Sequence, residues 1–343
     1  MSRYSMMTRC RATSPSRRSA CMRLCWEGGP PPMPEPAPID TLLLCGFLGS
    51  GKTTRINQLI RAGRLRNALF LINDFGTLNI DAEWIDARED GVLRLNNGCA
   101  CCGISGNLSA QLTEIRRWPG PPECLVLEAS GVARPRPLMQ LFDAARGYRL
   151  GRADTLVDLS AIRSLLDDDA VGDIVHDQLR DVGHILVSRY HAMPGGAADA
   201  ALERIKAINP HARVDWLPPV APPCRRQVSR RAMPSWPDFA RLAKPASSIV
   251  SRTVHLDAPV DIERLESLLD AARVLLLRAK GMLRSHDAPA DMLAVQWTAG
   301  ELRLSPLPSA RHQALVLIGK GEPGLDALVT CLETAVVNQN REK

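Results

Sequence analysis

The chain has 343 residues, 45% of them hydrophobic and 23% charged, with a formal net charge of +6. That length supports a sizeable core and more than one domain, and the composition is that of an ordinary globular protein rather than a disordered or fibrous one. No run approaches the roughly 18 apolar residues of a membrane span, so no membrane partner is expected. The positive charge is concentrated at the start: residues 1–32 hold six arginines and only Glu27 against them, which leaves the rest of the chain close to neutral and gives no reason to expect a nucleic-acid partner.

Residues 1–37 are rich in Arg and Ser and run into Gly28-Gly29-Pro30-Pro31-Pro32. So little apolar surface predicts a disordered leader. A transit-like segment and a start placed too far upstream, with Met22 and Met33 as later starts, both stay open.

From Thr41 the pattern changes. Thr41-Leu42-Leu43-Leu44-Cys45 reads as a buried strand, and Ile56, Leu59 and Ile60 give the following segment one apolar helical face. Between them lies Gly46-Phe47-Leu48-Gly49-Ser50-Gly51-Lys52-Thr53, with Thr54 next, which fits the phosphate-binding G-x-x-x-x-G-K-[ST] pattern. Glycines allow backbone N–H groups to wrap a phosphate, and the helix start adds unpaired donors and the positive end of its dipole. Lys52 is placed to reach the β/γ-phosphates, and the Thr53 hydroxyl to ligate Mg²⁺.

Ala68 to Ile72 is a second buried strand, ending in Asn73-Asp74-Phe75-Gly76; taken alone, Asp74 reads first as a helix cap or turn residue and second as a candidate ligand for Mg²⁺ or another metal. Three thiols follow within four residues, in Gly98-Cys99-Ala100-Cys101-Cys102-Gly103. Cys99, Cys101 and Cys102 are soft ligands suited to Zn²⁺ or Cu(I) and able to hold Co²⁺, although redox chemistry and plain packing remain alternatives. An incomplete protein shell suits a metal that has to be released. Cys45 and Cys124 sit in apolar runs, where free cysteine behaves as a small hydrophobe; with no secretory signal, a reducing cytoplasm is expected.

Asn107 to Trp118 reads as a helix, and Cys124 to Leu127 as a strand running into Glu128-Ala129-Ser130-Gly131. An acid directly after a buried strand, downstream of a phosphate loop, suits a carboxylate that holds Mg²⁺ or positions water, with the Gly131 N–H sensing a terminal phosphate. Further strands are predicted at 153–157, 182–187 and 214–217, with helices over 174–179 and 201–208. Strands alternating with helices predict an α/β fold, a mostly parallel P-loop sheet with helices on both faces, over residues 38–217. Residues 218–246 carry seven prolines and a basic cluster at Arg225, Arg226, Arg230 and Arg231, and read as a basic linker. A smaller α+β domain is expected over 247–337, with no catalytic constellation of its own, and a short tail over 338–343.

With those residues in place, the chain resembles the CobW family of P-loop GTPases. The resemblance rests on residues 46–54, Asn73-Asp74-Phe75-Gly76, the cysteine motif, Glu128-Ala129-Ser130-Gly131, Arg278-Ala279-Lys280-Gly281 and Leu317-Ile318-Gly319. It implies a Mg²⁺-dependent GTPase that binds Zn²⁺ or Co²⁺ and delivers it to a client protein or cofactor pathway. By the same resemblance Gly46, Gly49, Ser50, Gly51, Lys52, Thr53 and Thr54 bind the nucleotide, Lys52, Glu128 and Gly131 serve hydrolysis, and the three cysteines with Asp74 serve metal. A homodimer is compatible with it.

The family's guanine-reading segment, Asn/Ser-Lys-x-Asp, aligns with Ser188-Arg189-Tyr190-His191. A carboxylate there accepts two guanine N–H donors, whereas neutral His191 offers at most one acceptor. ATP is therefore the alternative nucleotide, and a weakly hydrolysing nucleotide-binding regulator with relaxed base preference is the alternative function.

Overall fold

The computed structural model describes residues 37–63, 67–72, 92–94, 104–219, 236–242, 249–298, 300–307 and 313–337. Its first part is a seven-stranded sheet in the order β3-β2-β4-β1-β5-β6-β7, parallel throughout. The strands are β1 (Ile39–Cys45), β2 (Ala68–Ile72), β3 (Val92–Arg94), β4 (Cys124–Glu128), β5 (Tyr148–Asp158), β6 (His184–Ser188) and β7 (Arg213–Trp216). The interleaved helices are α1 (Lys52–Arg61), α2 (Ile104–Arg116), α3 (Pro135–Ala144), α4 (Ile162–Leu166), α5 (Gly172–Arg180) and α6 (Ala197–Ile208).

Strand periodicity explains the layering. Successive side chains of β1 point to opposite faces. Leu42 and Leu44 pack with Ile56 and Leu59 of α1, while Leu43 and Cys45 join Leu112 of α2, Phe142 of α3, Leu179 of α5 and Ile205 of α6. A strand buried on both faces has to be apolar without interruption, which is why β1, β2 and β4 are continuous hydrophobic runs. The expected α/β parallel sheet with helices on both faces is what forms.

Some elements differ from expectation. β5 starts at Tyr148 rather than Ala153, because its first half, Tyr148–Arg152, pairs with β1 while staying largely exposed. Hydrophobic pattern marks only the buried half. The short β3 and helix α3 were not anticipated from the sequence.

The second part is an antiparallel sheet in the order β11-β10-β9-β12-β8. It comprises β8 (Ile249–His255), β9 (Leu276–Ser285), β10 (Ala288–Thr298), β11 (Glu301–Leu307) and β12 (Ala314–Lys320). Helices α8 (Ile262–Ala271) and α9 (Glu322–Cys331) cover one face, with Leu265, Leu268 and Leu325 on Leu315, Leu317 and Trp297. A short helix before them, α7 (Phe239–Leu242), buries Phe239 in the same core, and the Trp236 Nε1–H donates to Ser267 Oγ at 2.9 Å. The opposite face supplies Val316 and Ile318 to the core of the parallel sheet, and Lys320 forms an ion pair with Asp168. Among the described residues no helix is long and apolar enough to cross a membrane.

Burial also settles the character of Cys45. Its thiol is wholly enclosed, and desolvation pushes its pKa up to about 12, with the nearby Lys52 charge opposing that rise only in part. Folding thus favours the protonated thiol, so this contribution to stability is complete below the ordinary thiol pKa and fades as pH climbs toward 12. In native protein at pH 8, Cys45 is expected to resist iodoacetamide, and to react once guanidinium unfolds the chain. Peptide mapping showing rapid native labelling would contradict this burial.

Candidate functional site

In an open parallel sheet, ligands bind beyond the carboxyl ends of the strands, where the strand order reverses. Here β1 lies between β4 and β5, and the loop leaving β1 is the glycine-rich one. Gly46, Gly49 and Gly51 adopt φ of 132°, 78° and 99°, a region that side chains with a Cβ avoid. Space is short as well. A Cβ on Gly46 would lie 2.4 Å from the Leu156 carbonyl oxygen, and one on Gly49 would lie 2.2 Å from Thr298 Cγ2 of β10. The second sheet thus packs directly on the backbone of the loop.

Helix α1 begins at Lys52, whose side chain is buried. Its Nζ donates to the carbonyl oxygens of Gly46 at 2.8 Å and Phe47 at 3.2 Å, so the ammonium stays inside the loop's curve. Thr53 Oγ1 donates to Glu128 Oε1 at 3.2 Å. Glu128 ends β4, the neighbour of β1, and the carboxylate is only 4% exposed. A cavity lined by Gly49, Gly51, Lys52, Thr53, Thr54, Asn57 and Glu128 opens beside this pair. Ser50 is buried in the same loop. A hydroxyl and a carboxylate converging beside a lysine form a hard oxygen donor set, which fits Mg²⁺.

The turn after Glu128 is fixed from two sides. Gly131 lies against the loop, so that a Cβ there would be 2.9 Å from the Leu48 nitrogen. Its carbonyl accepts from Gln178 Nε2 at 3.1 Å, and that of Ala133 accepts from the same nitrogen at 2.9 Å. Gln178, a buried residue of α5, is a functional residue that sequence reasoning missed; a lone polar residue on an apolar helix face is its only signal.

The proposed base-reading segment lies farther along the same edge. Ser188 Oγ donates to the Val157 carbonyl at 3.2 Å. Arg189, with φ 56°, pairs through Nη1 with Asp158 Oδ2 at 2.8 Å. Asp158 Oδ1 also accepts from the Ser160 hydroxyl at 2.6 Å. The Tyr190 ring lies 3.8 Å from the exposed His191 ring and 4.5 Å edge-on from Trp216, measured between centroids.

Asp74, Cys99, Cys101 and Cys102 lie outside the described residues. What is described is their point of departure: Ile72 of β2 pairs in register with both Arg94 of β3 and Glu128 of β4. The second sheet contributes more than expected, since Arg278 of β9 and Gln296 of β10 also line the cavity beside Lys52.

Residues 40–215 match the family model for the CobW/HypB/UreG nucleotide-binding domain. The chain belongs to that family. Residues 249–334 of this CobW-type chain match the cobalamin synthesis protein cobW C-terminal domain. It is 28% identical over 276 residues to zinc chaperone YjiA of Escherichia coli, an alignment covering 75% of this chain and 85% of that one. It is 30% identical over 133 residues to zinc chaperone CobW of a Sinorhizobium species, covering 36% and 38% of the two chains. Zinc-regulated GTPase metalloprotein activator 1 of Schizosaccharomyces pombe is 28% identical over 188 residues, covering 52% and 45%.

The contact between Gly131 and Leu48 generates a test. Gly131→Ala forces the turn off the loop, and a loss of about 1–3 kcal/mol in urea unfolding is expected, together with weaker nucleotide binding by titration. Unchanged values of both would show the turn to be independent of the loop.

Proposed function

We propose that this chain is a GTP-hydrolysing zinc metallochaperone. The observation that carries the reading is the convergence of the Thr53 hydroxyl and the Glu128 carboxylate beside Lys52, at the carboxyl edge of a parallel sheet. Relatives named as zinc chaperones and as a zinc-regulated GTPase support the same conclusion.

In this reading the backbone of residues 46–53 cradles the phosphates and Lys52 Nζ turns from its carbonyl partners toward the β/γ-phosphate oxygens. Thr53 and Glu128 hold Mg²⁺, which when bound neutralises charge on the phosphates. Glu128 keeps its position through the Thr53 hydroxyl, and Gly131 follows the terminal phosphate through its N–H. Gln178 keeps that turn registered on α5, so its movement on loss of phosphate reaches the helix layer. Zinc is the cargo, taken up by Cys99, Cys101 and Cys102, with Asp74 near the end of β2 as a further ligand. Cobalt is another metal that these thiolates can hold. The change in nucleotide state alters the hold on metal, which passes to a client protein. The cytoplasm is the proposed compartment.

A second reading is favoured by one observation. At the base-reading segment Arg189 is engaged by Asp158, and His191 brings no carboxylate to guanine. That arrangement suits a nucleotide-binding regulator that accepts ATP as well as GTP.

Three measurements separate these readings. Lys52→Ala is expected to lower GTP turnover at least about 100-fold; unchanged hydrolysis would reject the phosphate-loop assignment. Replacing Cys99, Cys101 and Cys102 with Ser is expected to abolish thiolate-to-cobalt charge-transfer absorption in the cobalt-loaded chain, and survival of that band would place the metal elsewhere. Titration with GTP and ATP, with and without Zn²⁺, is expected to show GTP preferred and its affinity altered by zinc. Equal affinities, insensitive to zinc, would favour the regulator.

A further inference from the structure

The cavity beside Lys52 has a wall from the second sheet. On β9 and its neighbours, Thr298, Arg278 and Ile318 form one cross-strand row. The Thr298 end of that row abuts Gly49, and the Ile318 end is buried in the core of the parallel sheet. Arg278 is thereby fixed between two anchored neighbours, on a strand paired along both sides. It is 7% exposed and lines the same cavity as Lys52, Thr53, Glu128 and Gln296. Lys52 is the other cation among the described residues of that cavity.

We infer that Arg278 is a catalytic residue, a second cation supplied from within the chain to the terminal phosphate of GTP. The inference rests on the reading of the phosphate loop as the hydrolytic site. In hydrolysis a water oxygen bonds to the γ-phosphorus while the bond from that phosphorus to the β–γ bridging oxygen breaks. The electron pair of that bond stays on the β-phosphate, and the water's protons leave with inorganic phosphate and solvent. Negative charge spreads over the equatorial γ-oxygens and the bridging oxygen as this happens. Arg278 gives up no proton; its planar, permanently charged fork donates N–H bonds to two of those oxygens at once. A rigid strand suits the task, because charge stabilisation depends on donors that do not have to reorganise.

The test uses the full chain carrying Arg278→Lys or Arg278→Ala. Single-turnover GTP hydrolysis is measured, together with affinity for a fluorescent GDP with and without aluminium fluoride, which mimics the transferring phosphoryl group. GDP affinity is expected within about threefold of wild type, while turnover falls at least about 100-fold in Arg278→Ala and about tenfold or more in Arg278→Lys. The gain in affinity that aluminium fluoride brings should vanish in Arg278→Ala. The lysine variant keeps the charge and most of the buried stem, so it remains informative if the alanine variant does not fold. Turnover by Arg278→Lys within about threefold of wild type overturns the assignment, and so does a parallel loss of GDP affinity and turnover, the mark of a packing role. A wild-type chain that fails to bind GDP would instead refute the phosphate-loop reading itself.

Discussion

The contact between Gly49 and Thr298 is the constraint on which the rest of the molecule depends. With no side chain on the loop at that point, a strand of the second sheet lies against the loop backbone. Any Cβ there would force the Thr298 side chain to shift or drive the loop out of its positive-φ path. Val316 and Ile318 behind the contact, and the Lys320–Asp168 ion pair beside it, commit the two sheets to one arrangement. The shape of the phosphate loop and the position of the second sheet are consequently not independent variables. Whatever alters one is felt by the other, because packed interiors transmit small displacements rather than absorb them.

The parallel sheet supplies the complementary half of the design by delivering its polar residues to one edge. Glu128, Asp158 and Ser188 each end a strand. Levelling those ends requires the outer strands to stay in register, and buried polar groups help there. His184 of β6 bonds through Nδ1 to Asp154 of β5 at 2.8 Å and through Nε2 to Asp215 of β7 at 2.9 Å. The hydrogen bond from His184, with further help from Arg213, holds the Asp215 carboxyl below its ordinary range. The three strands are thus tied by side chains as well as by backbone, with Asp154 opposite Leu44 just before the phosphate loop.

Legibility in the sequence followed distance along the chain. Strand, glycine loop and helix around Lys52 could be read because every part of the signal lies within some twenty residues, and the apolar runs of β2, β4 and β6 could be read because burial on both faces leaves no polar gaps. The exposed first half of β5 carried no such pattern and was missed, as was α3, whose proline at the first turn looks like a break until the following helix is seen. The partnership of Arg189 with Asp158 spans thirty-one positions, and Arg278 reaches the cavity across more than two hundred. Nothing in local periodicity marks either, since both are made by topology. The second sheet could be recognised as part of a smaller α+β domain, but which face it turned to the phosphate loop could not.

Strand order has a consequence for how the molecule is made. β1 is the first of the described strands to be synthesised, yet its partners are β4, with Asp40 opposite Cys124, and β5, with Ile39 opposite Tyr148. Its central position has to wait for more than a hundred further residues to leave the ribosome, and non-local parallel pairing of this kind is slow. Until then an apolar strand and its glycine loop remain an exposed hazard for association. The wall formed by β9 and β10 arrives later still. A nascent chain of this protein therefore passes through a stage in which the phosphate loop already exists as sequence but not yet as a site, so nucleotide cannot stabilise it until β4 and β5 have paired with β1.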